Sequence, residues 1–269
     1  MSQVSHPGRT IVWIVSYPKS GNTWVRFLVC NLVFGPQSSA DALSQLAPDI
    51  HELAAVPDPP AAPVFMKTHF PFSPALPLAG HTAGAIYIVR HPADVMLSNF
   101  HYSKRAETET TLDRYVHEYL AARGDPRWRQ LRMGTWDEHV RSWLAIKPPF
   151  PVLPLRYEDM LSDCLHAARQ ICSFLGLPRT DEEVQRAVAA SSFTRMKEIE
   201  EADIRSRSVG IFYKPYLQES IGSGLRFMRA GRAGEAAQVL SPEQRRLLSA
   251  AFGPLMRELG YEDSSAPLR

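Results

Sequence analysis

The run Thr10-Ile-Val-Trp-Ile-Val-Ser16 limits the fold of this chain more than any other feature. It is short, nearly all apolar and rich in β-branched residues, and it passes at once into the turn-forming Tyr17-Pro-Lys-Ser-Gly-Asn22. A strand that is apolar on both sides needs cover on both faces, as in a parallel sheet flanked by helices. From Thr23 the apolar positions Val25, Leu28, Val29, Leu32 and Val33 recur at helical spacing. The first unit is therefore strand, polar loop, helix.

The same order returns along the chain. Pro63-Val-Phe-Met-Lys-Thr68 reads as a second strand after the Pro-rich loop Pro57 to Pro63, and Gly84-Ala-Ile-Tyr-Ile-Val-Arg90 as a third. After His91, Pro92 suits the first turn of a helix carrying Val95, Met96 and Phe100. Pro151-Val-Leu-Pro-Leu-Arg-Tyr157 is a fourth strand, followed by a helix with Leu165, Ala168, Ile171, Cys172 and Leu175 that ends near Gly176. Helices are also expected over Leu112–Ala122, Thr135–Ile146, Asp181–Ala190 and Pro242–Leu259. Alternating strands and helices predict an α/β fold: a single P-loop-like domain whose central, mostly parallel β-sheet is flanked by helices on both faces. No repeat or linker divides the 269 residues, so residues 1–269 are expected to form one domain. Between Ile199 and Gly234 the periodicity weakens among glycines, serines and arginines, which predicts a mobile nucleotide or acceptor loop over 199–234.

Composition narrows the function. Lys+Arg 30 against Asp+Glu 28 leaves a net charge of +2, which argues against a sequence-independent nucleic-acid binder. Three cysteines, Cys30, Cys164 and Cys172, are too few and too odd for a disulfide framework and suit a reducing compartment. No His or Asp stands at metal-ligand spacing with Cys164 or Cys172, so they read as structural thiols and no metal is expected. The N-terminus lacks the apolar core of a signal peptide, and Lys19, Asn22 and Arg26 interrupt the apolar stretch Ile11–Phe34. No membrane span is expected, and the location is read as cytoplasmic.

In open α/β sheets ligands bind beyond the carboxyl ends of the strands. At these ends stand Lys19 and Ser20 for the first strand, Lys67 and His69 for the second, Arg90 for the third and Tyr157 for the fourth. Lys19, Lys67 and Arg90 in one crevice would repel one another without an anion between them, so the cluster asks for a polyanionic ligand. The loop Pro18 to Trp24 enters a helix N-terminus, where free N–H groups and the helix dipole favour phosphate. It is not a Walker A sequence, because Lys19 precedes Ser20 and Gly21. Taken alone, the Lys-Ser-Gly turn is a weak signal. A lone Trp24 at a helix start usually packs in a core, and Tyr157 alone would suit a satisfied interior hydroxyl as well as a ligand contact. His101, His117 and His139 fall in helical stretches as surface or satisfied groups, and Trp128, Trp136 and Trp143 read as packing residues.

Taken together, these segments resemble a known family. Ser16-Tyr-Pro-Lys-Ser-Gly-Asn-Thr-Trp24 resembles the 5′-phosphosulfate loop of sulfotransferases that use 3′-phosphoadenosine 5′-phosphosulfate (PAPS). Tyr87-Ile-Val-Arg-His-Pro-Ala-Asp-Val-Met-Leu-Ser98 resembles their 3′-phosphate motif, and Lys67-Thr68-His69 the segment carrying the catalytic base. Arg156-Tyr157-Glu158-Asp159 and Ser191-Ser192-Phe193 follow in the family's order, and Phe227-Met-Arg-Ala-Gly231 is similar to its Phe-Met-Arg-Lys-Gly signature.

The resemblance implies PAPS as co-substrate without a metal, and release of adenosine 3′,5′-bisphosphate (PAP) as the sulfuryl group moves to a hydroxyl of a small-molecule acceptor. It implies His69 as general base, with Lys67 and Lys19 stabilising the transition state. Thr23, Asn22 and the amides of the loop through Lys19, Ser20 and Gly21 would hold the 5′-phosphate, and Arg90, Ser98 and Arg229 the 3′-phosphate. Trp24, Tyr157 and Phe193 would contact the adenine or its surroundings, with Ser191, Phe227, Met228 and Gly231 completing the nucleotide site. Ala230 stands where the family commonly has Lys, so one phosphate contact is lost or supplied by Arg232 or Arg226. The family's dimerisation pattern is met only at Val239 and Glu243, which leaves monomer or homodimer open. Two other readings stay open: a P-loop small-molecule kinase, and a non-catalytic PAP-binding protein. The acceptor would meet Phe70-Pro71-Phe72, the Tyr102 to Thr111 region and residues 199–224; a phenol, a sterol-like alcohol, a lipid or a glycan would all suit.

Overall fold

The computed structural model of the chain describes residues 8–60, 62–103, 111–222 and 224–261. Strand β1 (Ile11–Ser16) leads into helix α1 (Asn22–Phe34), then α2 (Ala40–Leu46) and a 3-10 turn at Ile50–Glu52. Strand β2 (Val64–Thr68) and strand β3 (Thr82–Val89) precede helices α3 (Pro92–Ser103), α4 (Leu112–Ala122), α5 (Pro126–Gln130) and α6 (Trp136–Leu144). Strand β4 (Val152–Arg156) is followed by α7 (Tyr157–Ser162), α8 (Cys164–Leu175), α9 (Asp181–Ala190) and α10 (Phe193–Ser206). Helices α11 (Gln218–Gly222), α12 (Glu235–Val239) and α13 (Pro242–Glu258) complete the described chain.

The four strands form one parallel sheet in the order β2-β1-β3-β4. Burial along β1 explains why its sequence is apolar without alternation. Ile11, Trp13 and Val15 enter a core with Tyr87, Trp136, Trp143 and Phe252. Val12 and Ile14 enter a second core with Phe27, Leu28, Ile86, Ile88 and Ile171. Both faces of the sheet are thus covered, and the α/β expectation holds. Pro154 falls in β4, an edge strand, where the missing N–H is tolerated.

The register fixes where the site must lie. Val15 pairs with Thr68 of β2 and with Tyr87 of β3, and Ser16 with Ile88. The first three strands therefore finish at the same end of the sheet, and the segments carrying Lys19, His69 and Arg90 all leave from it.

Helices expected at Leu112–Ala122 and Asp181–Ala190 occur with those bounds, while the segment from Thr135 begins its helix at Trp136 because Thr135 is the N-cap. Its hydroxyl accepts the Glu138 N–H while Glu138 returns to the Thr135 N–H, a capping box. The expected loop from Ile199 is corrected in its first part: α10 continues to Ser206. Its buried stripe is Met196, Ile199, Glu200 and Asp203, so two carboxylates occupy positions where a helical pattern normally shows apolar residues. Cys30 and Cys172 are buried and Cys164 half-buried, all free thiols; Cys164 and Cys172 share α8. Among the described residues no helix is long and apolar enough to cross a membrane.

Candidate functional site

The loop after β1 is bent into an unusual path by two left-handed residues, Lys19 at φ 70° and Gly21 at φ 99°. Gly21 is the N-cap of α1 and supplies no side-chain cap, and the first turn holds no acidic residue. Its N-terminal amides and positive dipole end are left for an anion. Glycine is required at position 21 for a second reason. A Cβ there would fall 2.6 Å from Tyr157 Cδ2. Around this loop, Ser20 Oγ, Asn22 Oδ1, Trp24 Nε1 and Arg90 Nε are buried polar atoms without a hydrogen-bond partner. Orphaned polar atoms are costly, and their concentration at one loop fits a polar ligand there.

A cavity of about 340 Å³ opens on this loop. Its wall holds Lys19, Gly21, Asn22, Thr23, Trp24, Lys67, His69, Arg90, Ser98, Tyr157, Phe193, Phe227, Met228, Arg229 and Gly231. Two expected site residues stand outside this wall. Ser191 is fully buried, taking a hydrogen bond from Asn31 Nδ2 at 2.8 Å and giving one to the Ala187 carbonyl at 2.8 Å. Ser20, within the loop, is buried at 1% exposure.

Sequence reasoning missed other members of the wall. Arg26, Asp49 and Glu52 add charge, and Trp128 and Met133 add apolar surface; Phe212, Lys214 and Leu217 also line it, from the 199–224 stretch expected to meet the acceptor. Trp128 was expected to be a packing residue; it lines the cavity instead, with its Nε1 donating to Asn99 Oδ1 at 2.9 Å. Trp136 and Trp143 do lie in the core. Phe70 and Phe72 pack against that core too, and Tyr102 lines the cavity, whereas residues 104–110 and 223 fall outside the described chain.

Six basic side chains (Lys19, Arg26, Lys67, Arg90, Lys214, Arg229) face two carboxylates (Asp49, Glu52) across this wall. The excess is positive, and each cation has a defined place. Lys19 Nζ lies 4.2 Å from the Tyr102 ring centroid and 4.6 Å from that of Phe227. Arg26 donates to the Ala47 carbonyl at 2.6 Å. The Arg90 guanidinium lies 4.2 Å over the Tyr157 ring and donates to the carbonyls of Lys19 (3.2 Å) and Arg232 (2.9 Å). Lys67 Nζ pairs with Asp49 Oδ2 at 2.6 Å, and Lys214 Nζ with Glu52 at 2.9 Å. Arg229 forms a two-pronged pair with Glu235 at 2.8 and 2.5 Å.

His69 follows β2, and one contact fixes its chemistry. Its Nδ1 is 2.6 Å from the Ser16 carbonyl oxygen, which can only accept, so Nδ1 carries the proton. The lone pair of the neutral ring then resides on Nε2. Burial, followed by the nearby Lys67 charge, holds the His69 pKa well below 6.5. The imidazole is therefore neutral at neutral pH, a proton acceptor with its tautomer already set.

The Phe227–Gly231 segment has no strand or helix of its own, so side chains from elsewhere hold it. Glu200 of α10, 1% exposed, accepts the N–H groups of both Phe227 and Met228, the latter at 2.9 Å. Asp94 of α3 accepts those of Gly234 (2.7 Å) and Ala236 (3.0 Å). Gly231, at φ 61°, lies so close to Phe193 that a Cβ there would collide with the Phe193 ring. Ala230 lines the cavity, whereas Arg226 is turned to Glu201 at 2.7 Å and Arg232 to Glu235 at 3.5 Å; neither guanidinium belongs to the wall.

Residues 9–260 match the sulfotransferase domain family. The chain is 30% identical to sulfotransferase 2B1 of Homo sapiens over 198 residues, 69% of this chain and 52% of the human protein. It thus spans about half the length of that relative. It is 26% identical to the amine sulfotransferase of Oryctolagus cuniculus over 261 residues, covering 92% and 81% of the two chains. Among solved structures, mouse sulfotransferase SULT7A1 complexed with PAP superposes with a TM-score of 0.67 at 23% identity, over 95% and 87% of the chains. Retinol dehydratase in complex with androsterone and inactive cofactor PAP gives 0.69 at 20% identity, over 96% and 82%.

Proposed function

The chain belongs to the sulfotransferase domain family, and from that premise we propose that it moves the sulfuryl group of PAPS to a hydroxyl of a small-molecule acceptor. The observation that carries this reading is the set of groups in one wall. An uncapped helix N-terminus, the Arg90–Ser98–Arg229 group and a neutral imidazole of fixed tautomer share a single cavity. A phosphate ester bearing anions at both ends matches the first two, and a hydroxyl losing its proton matches the third.

In this mechanism the acceptor oxygen attacks sulfur while His69 Nε2 takes its proton. The bond from sulfur to the 5′-phosphate oxygen breaks, its electron pair stays on that oxygen, and PAP leaves. Lys67 is assigned to the sulfuryl oxygens and Lys19 to the bridging oxygen, where negative charge grows. Cations placed in advance at developing charge lower barriers by several kcal/mol where water is excluded. Asn22, Thr23 and the loop amides would hold the 5′-phosphate, and Arg90, Ser98 and Arg229 the 3′-phosphate. Ser20 and Ser191, set outside the wall, are assigned to shaping the loop and seating α9 against α1. The apolar share of the wall suits an acceptor with an apolar body.

Transfer of labelled sulfate from PAPS to a panel of phenols, sterols and alkanols tests the reading. Product should form with unaltered protein, and His69→Ala should lower turnover by about 100-fold or more with PAP affinity nearly intact. PAP binding with no transfer to any acceptor would favour the non-catalytic binder. Normal turnover by His69→Ala would remove His69 from the mechanism.

A further inference from the structure

Strand β2 lies at the edge of the sheet, so one row of its amides needs partners from outside the ladder. Residues 48–52 provide them. Lys67 N–H donates to the Pro48 carbonyl at 2.8 Å, and two residues on, the His69 N–H donates to His51 Nε2 at 2.8 Å. An imidazole thus stands where a neighbouring strand would present a carbonyl. The same segment also reaches the Lys67 side chain. Asp49 Oδ2 takes the ammonium at 2.6 Å, while Oδ1 takes the His51 N–H at 3.0 Å and closes the turn. Both partners of the ion pair are nearly buried, with side chains 10% and 13% exposed. The His51 ring rests 4.2 Å from that of Phe70.

We infer that residues 48–52 are a positioning element for the two proposed catalytic groups of β2, with Asp49 setting the Lys67 ammonium and His51 setting the backbone of His69. This rests on the sulfuryl-transfer reading. The chemistry of each contact suits the task. An ammonium has three donors, so Asp49 takes one and fixes the direction of the other two. Burial favours neutral lysine, and the adjacent carboxylate opposes that loss of charge. Burial also acts on His51, with the Lys67 charge next, to bring its pKa to about 4. It therefore remains a neutral acceptor for the His69 amide at neutral pH. The other charged or titratable groups facing the pair are Arg26 of α1, Glu52 of the same turn with its partner Lys214, and His139 of α6.

The test titrates Lys67 by heteronuclear NMR in the PAP-bound protein, with its signal assigned from Lys67→Gln. Asp49→Asn should lower the Lys67 pKa by about 1–3 units, the usual effect of losing an adjacent opposite charge. The alkaline limb of kcat should move down by the same amount, and Asp49→Glu should restore both. An unmoved Lys67 overturns the inference, and so does a shifted Lys67 with a stationary limb. His51→Ala should lower kcat about tenfold or more with the KM for PAPS little changed, because a misplaced base is slow. His51→Gln, whose carboxamide oxygen can accept the His69 N–H, should recover most of that loss; equal defects in the two variants would overturn the role of His51. Retained PAP binding checks that each variant folds. Failure of the unaltered chain to transfer sulfate would count against the functional reading, whereas the Lys67 titration judges the ion pair by itself.

Discussion

Replacing Glu200 by Gln should weaken PAP much more than it weakens adenosine 5′-monophosphate, although position 200 is not part of the cavity wall. The carboxylate accepts two backbone N–H groups, from Phe227 and Met228. A carboxamide offers one oxygen and one NH₂, so one of those amides loses its acceptor and meets a donor. Leaving a buried polar group unpaired costs about 1–3 kcal/mol, and the surviving bond loses about 1 kcal/mol of charge assistance. The sum, about 2–4 kcal/mol, acts on the docking of the segment that presents Arg229. If the lower figure is felt by the nucleotide, affinity falls about thirtyfold, at roughly 1.4 kcal/mol per tenfold. Calorimetric titration with both nucleotides reads the effect directly. The monophosphate lacks the 3′-phosphate assigned to Arg229, so it should lose clearly less affinity than PAP, only what Phe227, Met228 and Gly231 of the same segment contribute. Equal losses for both, or unchanged PAP affinity, would refute the link from Glu200 to the 3′-phosphate.

Two further outcomes follow from local geometry. Gly21→Ala places a Cβ 2.6 Å from Tyr157 Cδ2 at φ 99°. The left-handed penalty of about 1–2 kcal/mol and overpacking of about 1–3 kcal/mol should lower the urea midpoint, and an unchanged midpoint would contradict the close approach. Acidification should also destabilise the protein. Burial, the first cause in each, takes His69 well below 6.5, His51 to about 4 and His139 to about 3. The unfolded chain therefore binds protons first: stability is full above pH 6.5 and falls as pH drops toward the folded values. His139, fully buried, contributes about 1.4 kcal/mol of loss per pH unit in that window. Urea unfolding at pH 7, 6 and 5 checks it, and equal stability at pH 7 and 5 would refute neutral burial.

The parallel sheet was legible because β1 carries apolar residues on both faces, and only a doubly covered strand tolerates that pattern. Most of the candidate residues were legible as candidates because they stand at the carboxyl ends of the strands, where α/β folds bind ligands, and the structure brings them to one cavity wall. Glu200 was hidden. On α10 it reads as one more charged helical residue, and only the return of Phe227 and Met228 some 27 positions later turns it into a buried anchor. Asp49 and His51 were hidden for the same reason, since their partners lie 18 residues away across the sheet edge. Trp128 gave no sign of facing a cavity, because an aromatic at helical spacing packs equally well on either side of a wall. Local order thus followed from the chain's own periodicity and turns, which depend on neighbours a few residues apart. Which carboxylate restrains which cation, and which nitrogen of His69 bears the proton, depended on contacts between distant segments, and those exist only once the strands have assembled.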